Sequence, residues 1–292
     1  MKKLAALAMT GILAVSTLSM TVNAEDVSGT VVITGSTSVE KVLTALIDEF
    51  QAQNPDVDIQ YTGSGSSAGI NDTISGTNNI GVSSRNLTDE EVANEGMETE
   101  VFAYDGIAVI VNPANTAVAD ITEEQMADIY SGKITNWSEV GGDDADIFVV
   151  SREESSGTRS AFEELIGLKD AGGLTGSASV VEGNGNVQAS VAENENAIGY
   201  VSFSFIDDSV KPLTIAGVEA NDENAKKGTY PLSRPFVFCY TDKTVNDAAS
   251  AFLDFAVSDE GQTIVTDSGE ITVAEEAEAQ SETATETASE TK

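Results

Sequence analysis

The sequence has no histidine and a single cysteine, Cys239. Without histidine the chain cannot build a Ser-His-Asp or Cys-His nucleophile, nor a histidine-held zinc or iron site. A lone cysteine leaves no internal disulfide and no cysteine metal cluster. Set in the apolar run 236–240, it reads as a small buried hydrophobe. Basic residues are scarce: 14 Lys+Arg stand against 49 Asp+Glu, for a formal charge of −35. Such a chain repels nucleic acid and anionic membrane, so neither is expected as a partner. The G-x-x-x-x-G-K-[ST] loop is missing, and no G-x-G-x-x-G opens the first helix. Nothing therefore points to an ATPase or a dinucleotide enzyme, and no cofactor is expected.

Of the 292 residues, 40% are apolar, enough for a buried core in each of two lobes. The long apolar run is at the N-terminus, where Lys2 and Lys3 precede residues 4–20 and Val22-Asn23-Ala24 supplies small residues for cleavage. This predicts a signal peptide over 1–24 and an exported protein, periplasmic or extracellular; no cysteine stands there for lipoprotein attachment. Residues 274–292 are almost wholly Ala, Glu, Thr and Ser with net charge −5, and predict a disordered acidic tail. With that tail and the two N-terminal lysines set aside, residues 25–273 still carry −32.

Within this body, strand and helix patterns alternate. Residues 30–35 (TVVITG) read as a buried strand. Val39, Val42, Leu43, Leu46, Ile47 and Phe50 then form one helical face, with Thr37-x-x-Glu40 as its capping box. Residues 57–63 and 80–83 follow as strands, and a helix pattern begins near Gly69. Residues 101–112 form a long apolar run closed by Pro113. Thr122-x-x-Gln125 caps a second set of elements, with strands at 147–151 and 197–202, an extended run at 231–240 and a last helix at 248–257. The fold class is α/β, with mostly parallel sheets flanked by helices.

Three strand-to-helix junctions are made of glycine and small hydroxylated residues: Gly35-Ser36-Thr37-Ser38, Ser64-Gly65-Ser66-Ser67 and Ser155-Ser156-Gly157-Thr158. One such junction is an ordinary helix cap. Three at the carboxyl ends of parallel strands can converge their N–H and O–H donors on one anion. Arg152 ends the strand before the third loop, Arg159 follows that loop, and Arg85 follows Ser84 at the end of residues 80–83. Arginine suits a tetrahedral oxyanion; a surface ion pair is the other reading for Arg85 and Arg159.

These stretches resemble the phosphate-binding proteins of bacterial phosphate ABC transporters. The resemblance runs through TGSTSVEKVL (34–43), YTGSGSSAGI (61–70), IGVSSRNLTDEE (80–91) and DGIAVIVNP (105–113). It continues through ADIYSGKITNWSEVGG (127–142), SREESSGTRSAFE (151–163), AIGYVS (197–202) and FLDFAVSDEGQ (252–262). It implies a two-lobed periplasmic-binding-protein-like fold with a hinged cleft. Chain crossings near 104–107 and 231–236 give lobe one as 25–104 plus 236–273 and lobe two as 105–235. Carried over, the site comprises Ser36, Thr37, Ser38, Ser64, Ser66, Ser67, Ser84, Arg85, Arg152, Ser156, Gly157 and Thr158. Family members carry an Asp after the third strand to accept the proton of hydrogen phosphate, where this chain reads Ser83-Ser84-Arg85. Asp105 is the candidate acceptor here, or else a hinge-capping residue. The resemblance further implies a monomer that takes inorganic phosphate to a membrane permease, with no catalytic step. Rival readings are another tetrahedral oxyanion such as sulfate or molybdate, a hydrolase built on Ser156, and a surface scaffold. Trp137 is expected to pack, with partner docking as its alternative.

Overall fold

The computed structural model describes residues 27–94 and 96–275. The expected signal peptide and all but the first two residues of the expected tail lie outside them. Those two, Ala274 and Glu275, continue a helical turn in which Thr272 caps Glu275 N–H, and the Glu275 carboxylate accepts from Thr272 N–H and O–H.

The first third of the chain runs β1 (Gly29–Gly35), α1 (Glu40–Gln53), β2 (Val57–Gly63), α2 (Ser66–Ser75), β3 (Ile80–Ser83) and α3 (Asp89–Val92). Then comes β4 (Met97–Val111), with β5 (Asp120–Ile121), α4 (Glu123–Ser131), β6 (Phe148–Arg152), α5 (Gly157–Leu165) and α6 (Leu168–Ala171) after it. β7 (Ser179–Val181), α7 (Gly183–Glu193), β8 (Ala197–Ser202), β9 (Lys211–Pro212), β10 (Thr214–Ile215) and α8 (Asp222–Lys226) follow. β11 (Ser233–Thr241), α9 (Asp247–Ala256) and α10 (Asp259–Asp267) complete the order. Nine strands share one sheet in the order β2-β1-β3-β11-β4-β8-β6-β7, with β9 on β4.

Both wings of this sheet are parallel, β2-β1-β3 on one side and β8-β6-β7 on the other. The middle is not. β11 runs antiparallel to β3 and β4, and β4 antiparallel to β8. A chain that crosses between two halves and returns must run in opposite directions on its two passages, so the sheet is mixed rather than mostly parallel.

β4 explains the long apolar run. Ile107, Val109 and Val111 face one core while Ala108 and Ile110 face another, so both faces are covered and the alternation disappears. The first core draws on Val31, Ile33, Leu46, Phe50, Phe102, Phe236, Phe238 and Phe252. The second holds Tyr130, Trp137, Phe162 and Tyr200, where Phe162 stacks on Tyr200 at 4.1 Å between ring centroids. Ile271 packs with the second core, and its backbone exchanges two hydrogen bonds with Tyr104. A third connection thus joins the halves beside β4 and β11. Trp137 is buried, with its indole N–H on the Asn196 carbonyl 3.1 Å away. Cys239 is fully buried, which pushes its thiol up to about 11.

The capping box of Thr122 and Gln125 forms as read. That of Thr37 and Glu40 does not. Ser36 caps a short 3-10 turn at 37–39 instead, α1 starts at Glu40, and the Thr37 hydroxyl turns to the opposite half of the molecule.

Seven ion pairs occur among the described residues, which leaves most carboxylates of a body at −32 without a cation. Their mutual repulsion is felt over ~30 Å at 0.01 M salt and ~8 Å at 0.15 M. Thermal unfolding is therefore expected to move up by about 3 °C or more between these salt concentrations. A flat midpoint would mean that local partners already neutralise the acids.

Candidate functional site

The three hydroxyl-rich junctions meet, and a fourth joins them. Thr37 and Ser38 precede α1, Ser66 opens α2, Gly157 and Thr158 open α5, and Asn184 lies in the first turn of α7. Ser38 Oγ and Thr158 Oγ1 are 2.7 Å apart although 120 residues separate them. Asn184 Nδ2 donates to Ser38 Oγ (3.1 Å) and to Thr37 Oγ1 (3.3 Å), while its Oδ1 accepts from Ser202 N–H. Ser67 N–H donates to the Ser155 carbonyl at 3.0 Å. Ser84 N–H donates to Ser66 Oγ, and the two hydroxyls lie 3.3 Å apart.

Ser36 and Ser156 have their side chains on helix ends, Ser36 Oγ accepting from Ser38 N–H and Ser156 Oγ from Arg159 N–H. A hydroxyl that accepts in a cap keeps its own proton to donate, and both residues are buried. Gly157 is required by proximity: a Cβ there would sit 2.1 Å from Ser66 Oγ.

Two guanidiniums are buried in this polar cluster. Arg152 is 1% exposed. Its backbone is fixed by β6 and by the Tyr200 hydroxyl, which accepts from Arg152 N–H and pairs with Ser151 Oγ; burial pushes the Tyr200 phenol up to about 12. Its head group makes a fork with Glu153, at 2.9 Å from Nε and 2.8 Å from Nη2, and reaches Thr37 Oγ1 across the cleft at 3.3 Å. Burial works against an ionised Glu153, but Arg152 outweighs it and holds the carboxyl below its usual range. Arg152 Nη1 is buried and has no partner among the described residues. A buried guanidinium N–H without an acceptor is costly and asks for an anion.

The second guanidinium, Arg234, went unforeseen. Its Nη1 donates to Thr158 Oγ1 (2.7 Å) and to the Ser84 carbonyl (3.3 Å), so one nitrogen touches a loop from each half. Asp105 stands behind it: Oδ2 accepts from Nη2 at 2.7 Å and Nε at 3.3 Å, and Oδ1 accepts from Phe203 N–H. Burial pushes the Asp105 carboxyl up, and the Arg234 guanidinium, which keeps its proton in proteins, works against that shift. The Asp105 oxygens are turned to Arg234 and the Phe203 amide.

Other candidates lie outside the cluster. Ser64 is exposed and lines a polar cavity of about 320 Å³ with Thr37, Glu153 and Ser155. Arg85 is bound fork to fork by Glu91, both contacts at 2.8 Å, and also donates to the Asn86 carbonyl and to Ser67 Oγ. It ties α3 to α2. Arg159 pairs with Glu163 and the Arg152 carbonyl. A larger hollow of about 510 Å³, between Glu100, Gln262 and Val273, is lined by no cation and is unsuited to an anion.

Known proteins agree with this architecture. The sequence profile of the PBP superfamily domain matches residues 21–260. The phosphate-binding protein PstS of Bacillus subtilis is 35% identical over 254 residues, covering 85% of this chain and 82% of its own. That of Borreliella burgdorferi is 33% identical over 81% of this chain and 88% of its own. Among solved structures, a protein of Clostridium perfringens described as a phosphate ABC transporter substrate-binding protein, with bound phosphate, superposes with a TM-score of 0.80. It is 46% identical, over 84% of this chain and all of that one. The chain belongs to the PBP superfamily and, within it, to the family of the phosphate-binding proteins PstS.

Proposed function

We propose that this protein binds inorganic phosphate between its two halves, outside the cytoplasm, and delivers it as a monomer to the permease of an ABC transporter. The observation that carries the reading is Arg152 Nη1, a buried cationic donor without an acceptor among the described residues, surrounded by hydroxyls from both halves. In an acidic chain, that combination is best accounted for by an anionic ligand. Ser36, Thr37, Ser38, Ser66, Ser84, Ser156, Thr158 and the amides opening α5 supply further donors, and Gly157 lets the loops approach. Ser64, Ser67 and Arg85 belong to the rim and support the loops. The act is binding without covalent change: the anion bridges the halves, and the closed state is favoured by the contacts that it adds. Surface carboxylates do not oppose this at contact range, being screened beyond ~8 Å in physiological salt.

Calorimetric titration of phosphate-stripped protein with phosphate and then sulfate is the direct test. One-to-one binding of phosphate is expected; binding of sulfate alone would move the same site to another oxyanion. With Asp105 as the counter-ion of Arg234, Asp105→Asn is expected to weaken phosphate and sulfate alike, by about tenfold. A loss confined to phosphate would restore Asp105 as the acceptor of the phosphate proton.

A further inference from the structure

Three segments join the halves at one place: β4 at Asp105, β11 at Arg234, and residues 270–272, tied to β4 through Tyr104 and Ile271. Each brings one buried ionisable side chain, Asp105 at 1%, Arg234 at 3% and Glu270 at 2% exposure. Asp105 and Arg234 satisfy each other. Glu270 is left over: its Oε2 is buried and accepts no hydrogen bond from the described residues. Asp105 from β4 and Asp222 from α8 repel its anion, while Arg234 from β11 and Lys41 from α1 attract it. Burial first, then Asp105, pushes its carboxyl well above the usual range.

Arg234 is therefore claimed from two sides. Its Nη1 is bound to Thr158 of one half and to the Ser84 carbonyl of the other, so the two contacts are held at once only while the halves are together. We propose that Glu270 competes with Thr158 for the Arg234 guanidinium, so that an ionised Glu270 holds the halves apart and closing over the anion draws one proton from solvent onto it. Glu270 is thus a positioning residue acting through Arg234, and the idea rests on the reading of the cleft as a phosphate site. The sign follows from linkage. Closure raises the Glu270 pKa, so closure is unopposed where Glu270 is protonated in both states. It is opposed progressively as pH rises from the open-state to the closed-state pKa.

The test is calorimetry of phosphate binding to the full chain, from about pH 6 to about pH 9, in buffers of different ionisation enthalpy. The chain has no histidine, so proton uptake above about pH 8 that disappears in Glu270→Gln belongs to that carboxyl rather than to the phosphate or the α-amino group. The expected result is uptake approaching one proton, with affinity falling by up to about tenfold per pH unit in that window. Glu270→Gln should bind about three- to tenfold more tightly near pH 8.5 and take up no such proton. Phosphate binding without proton uptake at any pH would overturn this proposal alone. So would a Glu270→Gln protein with weaker binding and the wild-type pH profile. Should that variant not fold, Glu270→Met, uncharged and of similar length, takes its place in the same proton count. Absence of phosphate binding at every pH would overturn the phosphate reading as well.

Discussion

Replacing Arg152 with alanine should weaken phosphate binding roughly 30-fold to several-thousand-fold, and sulfate or any other tetrahedral anion with it. Removing one partner of a buried, hydrogen-bonded charge pair costs about 2–5 kcal/mol, and each 1.4 kcal/mol is about tenfold in affinity. Arg152 stands at the severe end for two reasons. Its Nη1 has no other acceptor in the site, so the whole of that donor is available to the anion. Its Nε and Nη2 neutralise Glu153, whose carboxylate would otherwise face the incoming anion with its charge uncompensated. Arg152→Lys should recover part of the loss, since a point charge cannot span Glu153, Thr37 and the anion as a planar fork does. Titration calorimetry measures the effect, and thermal unfolding without phosphate checks that the variant folds. Wild-type affinity in the alanine variant would reduce Arg152 to a structural partner of Glu153.

Much of the site was readable because it is built from short local motifs. The loops at 35–38, 64–67 and 155–158 each combine glycine, hydroxyls and a following helix, and their convergence follows from where parallel strands end. Arg152 was readable because it sits four residues from Ser156 in the same loop. Arg234 was not, because its role depends on pairing between β4 and β11, which places it opposite Asp105 over a separation of 129 residues. The signal available was a lone arginine in the extended run at the second crossing. Asn184 was hidden differently. Its segment, GNGNVQASVAE, has two glycines and little amphipathic pattern, so nothing in it signals a helix, yet its first turn delivers the amide that bridges Thr37 and Ser38. Asp105 shows the limit from the other side. Its place at the start of the long apolar run is visible in the sequence, but whether its oxygens face the loops or Arg234 is a matter of orientation that no spacing encodes. The parallel wings were legible from β-α alternation, whereas the antiparallel middle follows only from the return of the chain.

A side chain at Gly157 should separate folding from closure. A Cβ at this position would lie 2.1 Å from Ser66 Oγ, 2.7 Å from Ser66 Cβ and 2.7 Å from Ser84 Oγ, all in the opposite half. Its backbone lies outside the positive-φ region, so alanine or valine costs no backbone strain there. The obstacle therefore exists only when the halves meet. Overpacking a tight contact costs about 1–3 kcal/mol, which places Gly157→Ala roughly 5- to 150-fold above the wild-type Kd. Turning Ser66 Oγ aside cannot relieve the approach of its Cβ. Valine adds two methyl groups to the same wedge and should exceed the alanine effect. Without phosphate, both variants should unfold at the wild-type temperature. With phosphate, wild type should gain about 2.7 kcal/mol of stability at a hundredfold excess over Kd, and Gly157→Val should gain almost none at that concentration. Small-angle scattering supplies an independent readout, with contraction on phosphate addition expected for wild type and not for the valine variant. A valine variant that contracts and binds like wild type would show that the halves need not approach this closely. The anion would then be held by one half, with the cross-cleft hydrogen bonds of Ser38, Thr158 and Arg234 incidental to affinity.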